Sequence, residues 1–137
     1  MSVRYYFNGR TATVGDFTNV TYMQLLGRQI DAARRVAGHS APLWISETGS
    51  AWGGGAPGLS DRYLAGFLWL DKLGVAAQHG VSLVVRQSLY GGQYAMLDAH
   101  MMPNPVRGAG NVCDRTLRML LSSQLCPDDL DNCHADA

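Results

Sequence analysis

Apolar positions recur along this chain in two rhythms, and each change of rhythm marks an element. "SVRYYF" (Ser2–Phe7) is β-branched and aromatic, which predicts a strand, and Asn8–Gly9–Arg10 closes it with a turn signal. From Thr21 to Ala37 the period changes. Met23, Leu26, Ile30, Ala33 and Ala37 recur at steps of three and four, which predicts one helix with a single apolar stripe. Arg28, Asp31, Arg34 and Arg35 mostly take the other side, Gly38 suits the C-cap, and Pro42 prevents continuation. "LWIS" (Leu43–Ser46) is a short apolar run of strand type, the pattern of a parallel strand covered on both faces. Ser60 offers an N-cap and Asp61 a first-turn anion for a helix over Asp61–Gln78. Tyr63, Leu64, Phe67, Leu68, Leu70, Leu73 and Val75 give that helix a broad apolar surface, so it is expected to be well buried. "VSLVV" (Val81–Val85) is the third predicted strand.

The order is therefore strand, helix, strand, helix, strand. The crossovers are long enough for parallel pairing, which places the chain in the α/β class. Parallel sheets carry their sites at the C-terminal ends of the strands. Three such ends hold chemistry here: Tyr5 and Tyr6 with Asn8–Arg10, Glu47 with Trp52–Gly55, and Arg86 and Gln87 with Tyr90–Tyr94. A (β/α)8 barrel and a doubly wound sheet share this pattern, and periodicity leaves both open.

Length and charge narrow the picture. The 137 residues suffice for one domain. Eleven basic residues balance eleven acidic ones, so no strong field toward nucleic acid or an anionic membrane is expected. The 16 glycines gather at Gly53–Gly55, Gly91–Gly92 and Gly108–Gly110, which points to special loops. No apolar stretch reaches the ~18 residues of a membrane span. The residues after Met1 lack the apolar core of a signal peptide, so no route to secretion is visible. Asn19–Thr21 nevertheless reads "NVT", a glycosylation sequon that matters only in a secretory lumen. Cys113, Cys126 and Cys133 are odd in number and fit no metal-ligand spacing, even with His134 beside Cys133, so no metal and no cofactor is expected.

The lone carboxylate that ends the second apolar run, Glu47, is the candidate centre. Such a group serves as a general base, a metal ligand or a nucleophile, or is simply solvated or salt-bridged. In retaining glycoside hydrolysis two carboxyl groups about 5–5.5 Å apart flank the sugar, one as nucleophile and one as acid/base. The indole of Trp52 could cover a sugar's C–H face. Three consecutive glycines would let backbone N–H groups approach hydroxyls or a carboxylate, or would form only a flexible turn.

Four separated segments also resemble a known family, in one collinear register over roughly residues 4–105. They are "YYFNGRTAT" (Tyr5–Thr13), "SETGSAWGGGAPGLSD" (Ser46–Asp61), "AGFLWLDKLG" (Ala65–Gly74) and "VVRQSLYGGQYAMLD" (Val84–Asp98). They are similar to the heparanases, retaining endo-β-glucuronidases of glycoside hydrolase family 79 that cleave heparan sulfate. The resemblance implies a partial (β/α)8 TIM barrel, about strands six to eight with their helices, over residues 1–106. Residues 107–137 are then a divergent tail, either free or with a short helix over Thr116–Leu125. Position by position, it implies that Glu47 is the catalytic nucleophile and Tyr5 a tyrosine beside it. Arg10 would hold a polyanionic substrate. Trp52, Gly53 and Gly54 would contact sugar, with tryptophan where the family has tyrosine. Gly92, Gln93 and Tyr94 would form the last substrate loop, with glutamine where the family has asparagine.

The implied partners are heparan sulfate or a heparin-like glycosaminoglycan and the remaining strands of the barrel. The implied setting is lysosomal, secreted, or associated with extracellular matrix and cell-surface membrane. The family's acid/base glutamate follows the fourth strand and would precede Met1. The chain alone is therefore expected to be inactive, since a missing general acid costs about 10²–10⁴-fold. The alternative expectation is a non-catalytic isoform that binds glycosaminoglycan or protein. Retention of Glu47 favours descent from the active branch, because the family's silent paralogue lacks that nucleophile.

Overall fold

A computed structural model describes residues 2–38 and 40–106. The predicted tail, its Thr116–Leu125 helix and all three cysteines lie outside the described residues. The elements run β1 (Ser2–Phe7), α1 (Val14–Thr18), α2 (Val20–Met23), α3 (Leu25–Ala37), β2 (Trp44–Ala51), α4 (Tyr63–Gln78) and β3 (Leu83–Arg86). The strands form one parallel sheet in the order β1-β2-β3. Each crossover is helical, as parallel neighbours require.

The second strand departs from the sequence expectation. It continues through Glu47 to Ala51, where a polar, glycine-containing stretch had suggested a loop. Burial keeps that stretch in the sheet: Thr48, Ser50 and Ala51 are 0%, 8% and 0% exposed. Thr48 is satisfied by the Tyr5 carbonyl at 2.6 Å, and Ser50 by a 2.7 Å hydrogen bond to Ser60. The same hydroxyl of Ser60 accepts from the Ala56 amide at 2.8 Å. It is thus committed to the loop and does not cap α4, which begins at Tyr63 with Arg62 in the N-cap position.

The single helix expected over Thr21–Ala37 is α2 and α3, separated at Gln24. A preceding helix, α1, was not anticipated. Thr13 and Asp16 start it with a reciprocal capping box, the Asp16 carboxylate accepting from the Thr13 amide at 2.7 Å. Asn19 ends α1 in an extended conformation, and its side chain accepts from the Thr21 amide to cap α2.

Two apolar clusters fill the space between sheet and helices. Tyr5, Leu26, Ile30, Leu43, Ile45 and Ala76 join β1 and β2 to α3 and α4. Phe17, Ala51, Ala56, Ala65, Leu68 and Val106 close the C-terminal end of the sheet. Cover on both faces, expected from the apolar strands, is not met among the described residues: Trp44, Leu83 and Val85 remain 47%, 43% and 42% exposed. Nor is α4 buried all round, since Tyr63 and Phe67 are exposed.

Candidate active site

Strict alternation would put Glu47 on the same face as Ile45, in the core under α3. Pairing shows why it is not there. Val3 opposes Ile45, but Arg4 opposes Glu47, so β2 spends one extra residue at Ser46. Such a bulge shifts the side-chain phase by one and re-aims the side chains beyond it. Ile45 is 1% exposed in the core, whereas Glu47 turns to the open face. A second irregularity lies between the pairs Tyr5–Thr48 and Phe7–Ala51. Glu47 is thus a mid-strand residue whose direction is set by a bulge, rather than the last residue of a strand.

On that face the phenol of Tyr6 donates to Glu47 Oε1 at 3.0 Å, and Arg4 Nε lies 3.4 Å from Oε2. The Glu47 side chain keeps 32% of its surface and that of Arg4 74%, so this ion pair is heavily screened. Burial, then the hydrogen bond and charge of Glu47, raise the Tyr6 pKa well above the ordinary tyrosine value. Tyr6 therefore remains a donor to the carboxylate. The ring of Tyr94 stands 6.3 Å from that of Tyr6. Gly49 makes this approach feasible, because a Cβ there would lie 3.0 Å from the Tyr6 ring and 3.1 Å from the Gln87 carbonyl.

Of the two adjacent tyrosines, the one beside the carboxylate is therefore Tyr6. Tyr5 points the other way. It is 6% exposed within the core, and its hydroxyl donates to the Tyr22 carbonyl at 3.1 Å. The β1 alternation is enough to separate the pair, but only once the buried face is known.

The glycine loop joins the three strand ends. The Trp52 amide donates to the Phe7 carbonyl at 2.9 Å, and the Arg10 guanidinium stands 5.8 Å from the half-exposed indole of Trp52. Gly54 packs on the loop after β3. Its carbonyl accepts from the Gln93 amide at 2.5 Å, and a Cβ on Gly92 would fall 2.7 Å from that same oxygen. Gly53, Gly54 and Gly92 have φ of +79°, +93° and +78°, a region where L side chains are strained. Tyr94 is tied back to β3, since Arg86 donates to its carbonyl at 3.1 Å. Beyond this seam a groove of about 540 Å³ opens between Gly92, Gln93, Arg62 and His100.

Seven of the nine predicted residues thus fall into three connected groups: Glu47 with Tyr94 through Tyr6, Arg10 with Trp52, and Gly54 with Gly92 and Gln93. Tyr5 lies apart in the core, and Gly53 bridges Trp52 and Gly54 along the loop. Among the described residues the polar partners of Glu47 are Tyr6 and Arg4. No group of three metal-ligating side chains occurs among the described residues, nor does any helix there long and apolar enough to cross a membrane. The arrangement offers a partly exposed carboxylate, with Oε1 fixed by a phenol and Oε2 beside the solvated Arg4 guanidinium. Such a group is fit to bond or polarise a reacting carbon.

Sequence reasoning missed Lys72. It comes from α4, is 2% exposed, and donates to Thr48 Oγ1 at 2.9 Å, to the Tyr5 carbonyl at 3.3 Å and to the Gly49 carbonyl. Burial, with the nearby Arg86 charge second, lowers its pKa to about 7. A charged pair, Asp71–Lys72, inside the apolar run "FLWLDKLGV" is the signal that could have marked it.

No protein-family profile matches the chain. Several curated proteins do. Heparanase of Gallus gallus is 45% identical over 105 residues, which is 74% of this chain and 20% of the relative. Hyaluronoglucuronidase of Hirudo nipponia is 41% identical over 107 residues, 74% of this chain and 22% of the relative. Among solved structures, a 4-O-α-L-rhamnosyl-β-D-glucuronidase from Fusarium oxysporum, in complex with Rha-GlcA, superposes with a TM-score of 0.60 at 25% identity. That match covers 79% of this chain and 24% of the fungal one. The chain spans about a fifth of the length of the curated relatives it matches.

Proposed function

On the premise that this chain is a heparanase homologue over 74% of its length, we propose that Glu47 is the nucleophile of a retaining β-glucuronidase. Its substrate is a glucuronate-bearing glycosaminoglycan such as heparan sulfate. A Glu47 oxygen bonds the anomeric carbon as the glycosidic C–O bond breaks, and the leaving oxygen takes a proton from a carboxylic acid. Water then hydrolyses the glycosyl ester. The observation that carries this reading is the β2 bulge, which lifts Glu47 out of the core register onto the open face against Tyr6.

The remaining roles come from placement. Tyr6 orients the carboxylate, in the part first expected of Tyr5. Arg10 and Trp52 together present a cation and an apolar plate, which suits a sugar bearing carboxylate or sulfate. Gly53, Gly54, Gly92, Gln93 and Tyr94 form the substrate loops, and Gly54 and Gly92 let the two loops meet backbone to backbone beside the cleft. The three parallel strands form an arc of a (β/α)8 barrel. The proton donor needed about 5–5.5 Å from the nucleophile comes from outside the described residues.

Mechanism-based labelling tests the reading. A 2-deoxy-2-fluoro-β-glucuronyl fluoride carries a leaving group that needs no proton donor, so trapping depends on the nucleophile. In the full-length protein we expect an adduct on the peptide containing Glu47, lost in Glu47→Gln. Heparan sulfate binding without labelling would instead mean a non-catalytic binding protein, and an adduct on another carboxylate would refute the assignment.

A further inference from the structure

The nucleophile is aimed by a backbone irregularity, and an irregularity in a sheet needs something to hold it. Three acceptors at this place share one donor. The Tyr5 carbonyl belongs to the residue before Tyr6, Thr48 comes directly after Glu47, and Gly49 directly after Thr48. The buried Lys72 ammonium donates to all three, and an ammonium has three N–H groups, so its capacity is filled. Thr48 Oγ1 itself donates to the Tyr5 carbonyl at 2.6 Å, closing a ring of hydrogen bonds across β1 and β2. The ammonium also lies 5.2 Å from the Tyr5 ring centroid and 5.9 Å from that of Tyr6.

We propose that Lys72 is a positioning residue for the nucleophile: from the helix side of the sheet, it pins the backbone flanking both Tyr6 and Glu47. It thereby fixes the bulged register that turns the carboxylate to the cleft. This inference rests on the assignment of Glu47 as nucleophile. A lysine needed only to fill the core would be replaced by an apolar side chain of similar length without harm to the site, because a buried charge is costly and often dispensable for stability. A lysine that holds the register would not.

The test separates these roles in the full-length protein. Lys72→Met keeps the length and removes charge and donors. Thr48→Val is nearly isosteric and removes one acceptor of Lys72 together with the hydroxyl bond to the Tyr5 carbonyl. For each, thermal unfolding reports stability, and labelling by the 2-fluoro-glucuronyl fluoride is resolved into a maximal rate and a half-saturating concentration. We expect folded Lys72→Met to label on Glu47 with the maximal rate reduced about ten- to a hundredfold, as for a misplaced reacting group. Its half-saturating concentration should stay near that of the wild type. Thr48→Val should show a smaller fall of the same kind. A wild-type maximal rate in folded Lys72→Met overturns the inference and leaves the nucleophile assignment standing. If Lys72→Met does not fold, Thr48→Val decides, and an unchanged maximal rate there overturns it. Absence of labelling in the wild-type protein overturns the nucleophile assignment and this inference with it.

Discussion

The Tyr6 hydroxyl donates to Glu47 Oε1 at 3.0 Å, while its neighbour Tyr5 donates to the Tyr22 carbonyl on the opposite side of the sheet. Two adjacent phenols therefore do different work. Tyr6→Phe should slow glycosyl-enzyme formation about tenfold, because a hydrogen bond to a charged group is worth about 1.5–3 kcal/mol. It should change the melting temperature little. Tyr5→Phe should do the reverse, lowering stability by about 1 kcal/mol with the labelling rate unchanged. Rate measurements on both, beside thermal melts, check the assignment.

The core makes a second prediction. Leu68 is 1% exposed between α4 and the C-terminal end of the sheet, whereas Phe67, its neighbour in sequence, is 67% exposed. Leu68→Ala should destabilise the fold by about 2–5 kcal/mol. Phe67→Ala should stay within about 0.5 kcal/mol. Denaturant melts of the two variants read the difference directly.

Much of this was legible in the residues. Continuous apolar runs separated by helical periods foretold three parallel strands, and Leu26, Ile30 and Ala33 are buried where the stripe placed them. Glu47, Trp52 and the glycines stood out because they break the apolar pattern. The bulge did not stand out. Whether a small polar residue continues a strand or opens a loop depends on what covers it, and Thr48 and Ser50 are covered by partners far along the chain. The resemblance had placed the site role on Tyr5, and only the buried face of β1 shows that Tyr6 is the phenol beside Glu47. Lys72 was overlooked because lysines are usually solvated, and only its three acceptors reveal why this one is not.

The loop seam gives a third prediction. Gly91 and Gly92 both have positive φ, but a Cβ at Gly91 meets nothing within 4 Å, and one at Gly92 would press on the Gly54 carbonyl at 2.7 Å. Gly91→Ala should therefore cost about 1 kcal/mol through its backbone alone and leave ligand affinity intact. Gly92→Ala should also push the two loops apart and weaken binding of a glucuronide inhibitor about tenfold or more. Calorimetric titration of both variants distinguishes them.

Lys72 supplies a pH signature. Burial, together with the Arg86 charge, lowers its pKa from 10.5 to about 7. Between these values the unfolded chain holds a proton that the folded chain has released, so stability rises as pH rises through that interval. Tyr5 and Tyr6, both raised, oppose this only near and above the ordinary tyrosine pKa. Relative to Lys72→Met, the wild-type unfolding free energy should increase from about pH 7 to about pH 9, by at most about 1.4 kcal/mol per pH unit. A difference that stays flat across this range would contradict the burial of a titrating ammonium.

The most direct measurement is chemical rescue of Glu47→Ala in the full-length protein, with a 2,4-dinitrophenyl β-glucuronide and added azide. Without azide the variant should be inactive. With azide, an external anion fills the space left by the carboxylate, and dinitrophenolate release should return together with an α-glucuronyl azide. Wild-type turnover by Glu47→Ala in the absence of azide, or a rescued product of β configuration, would contradict the account.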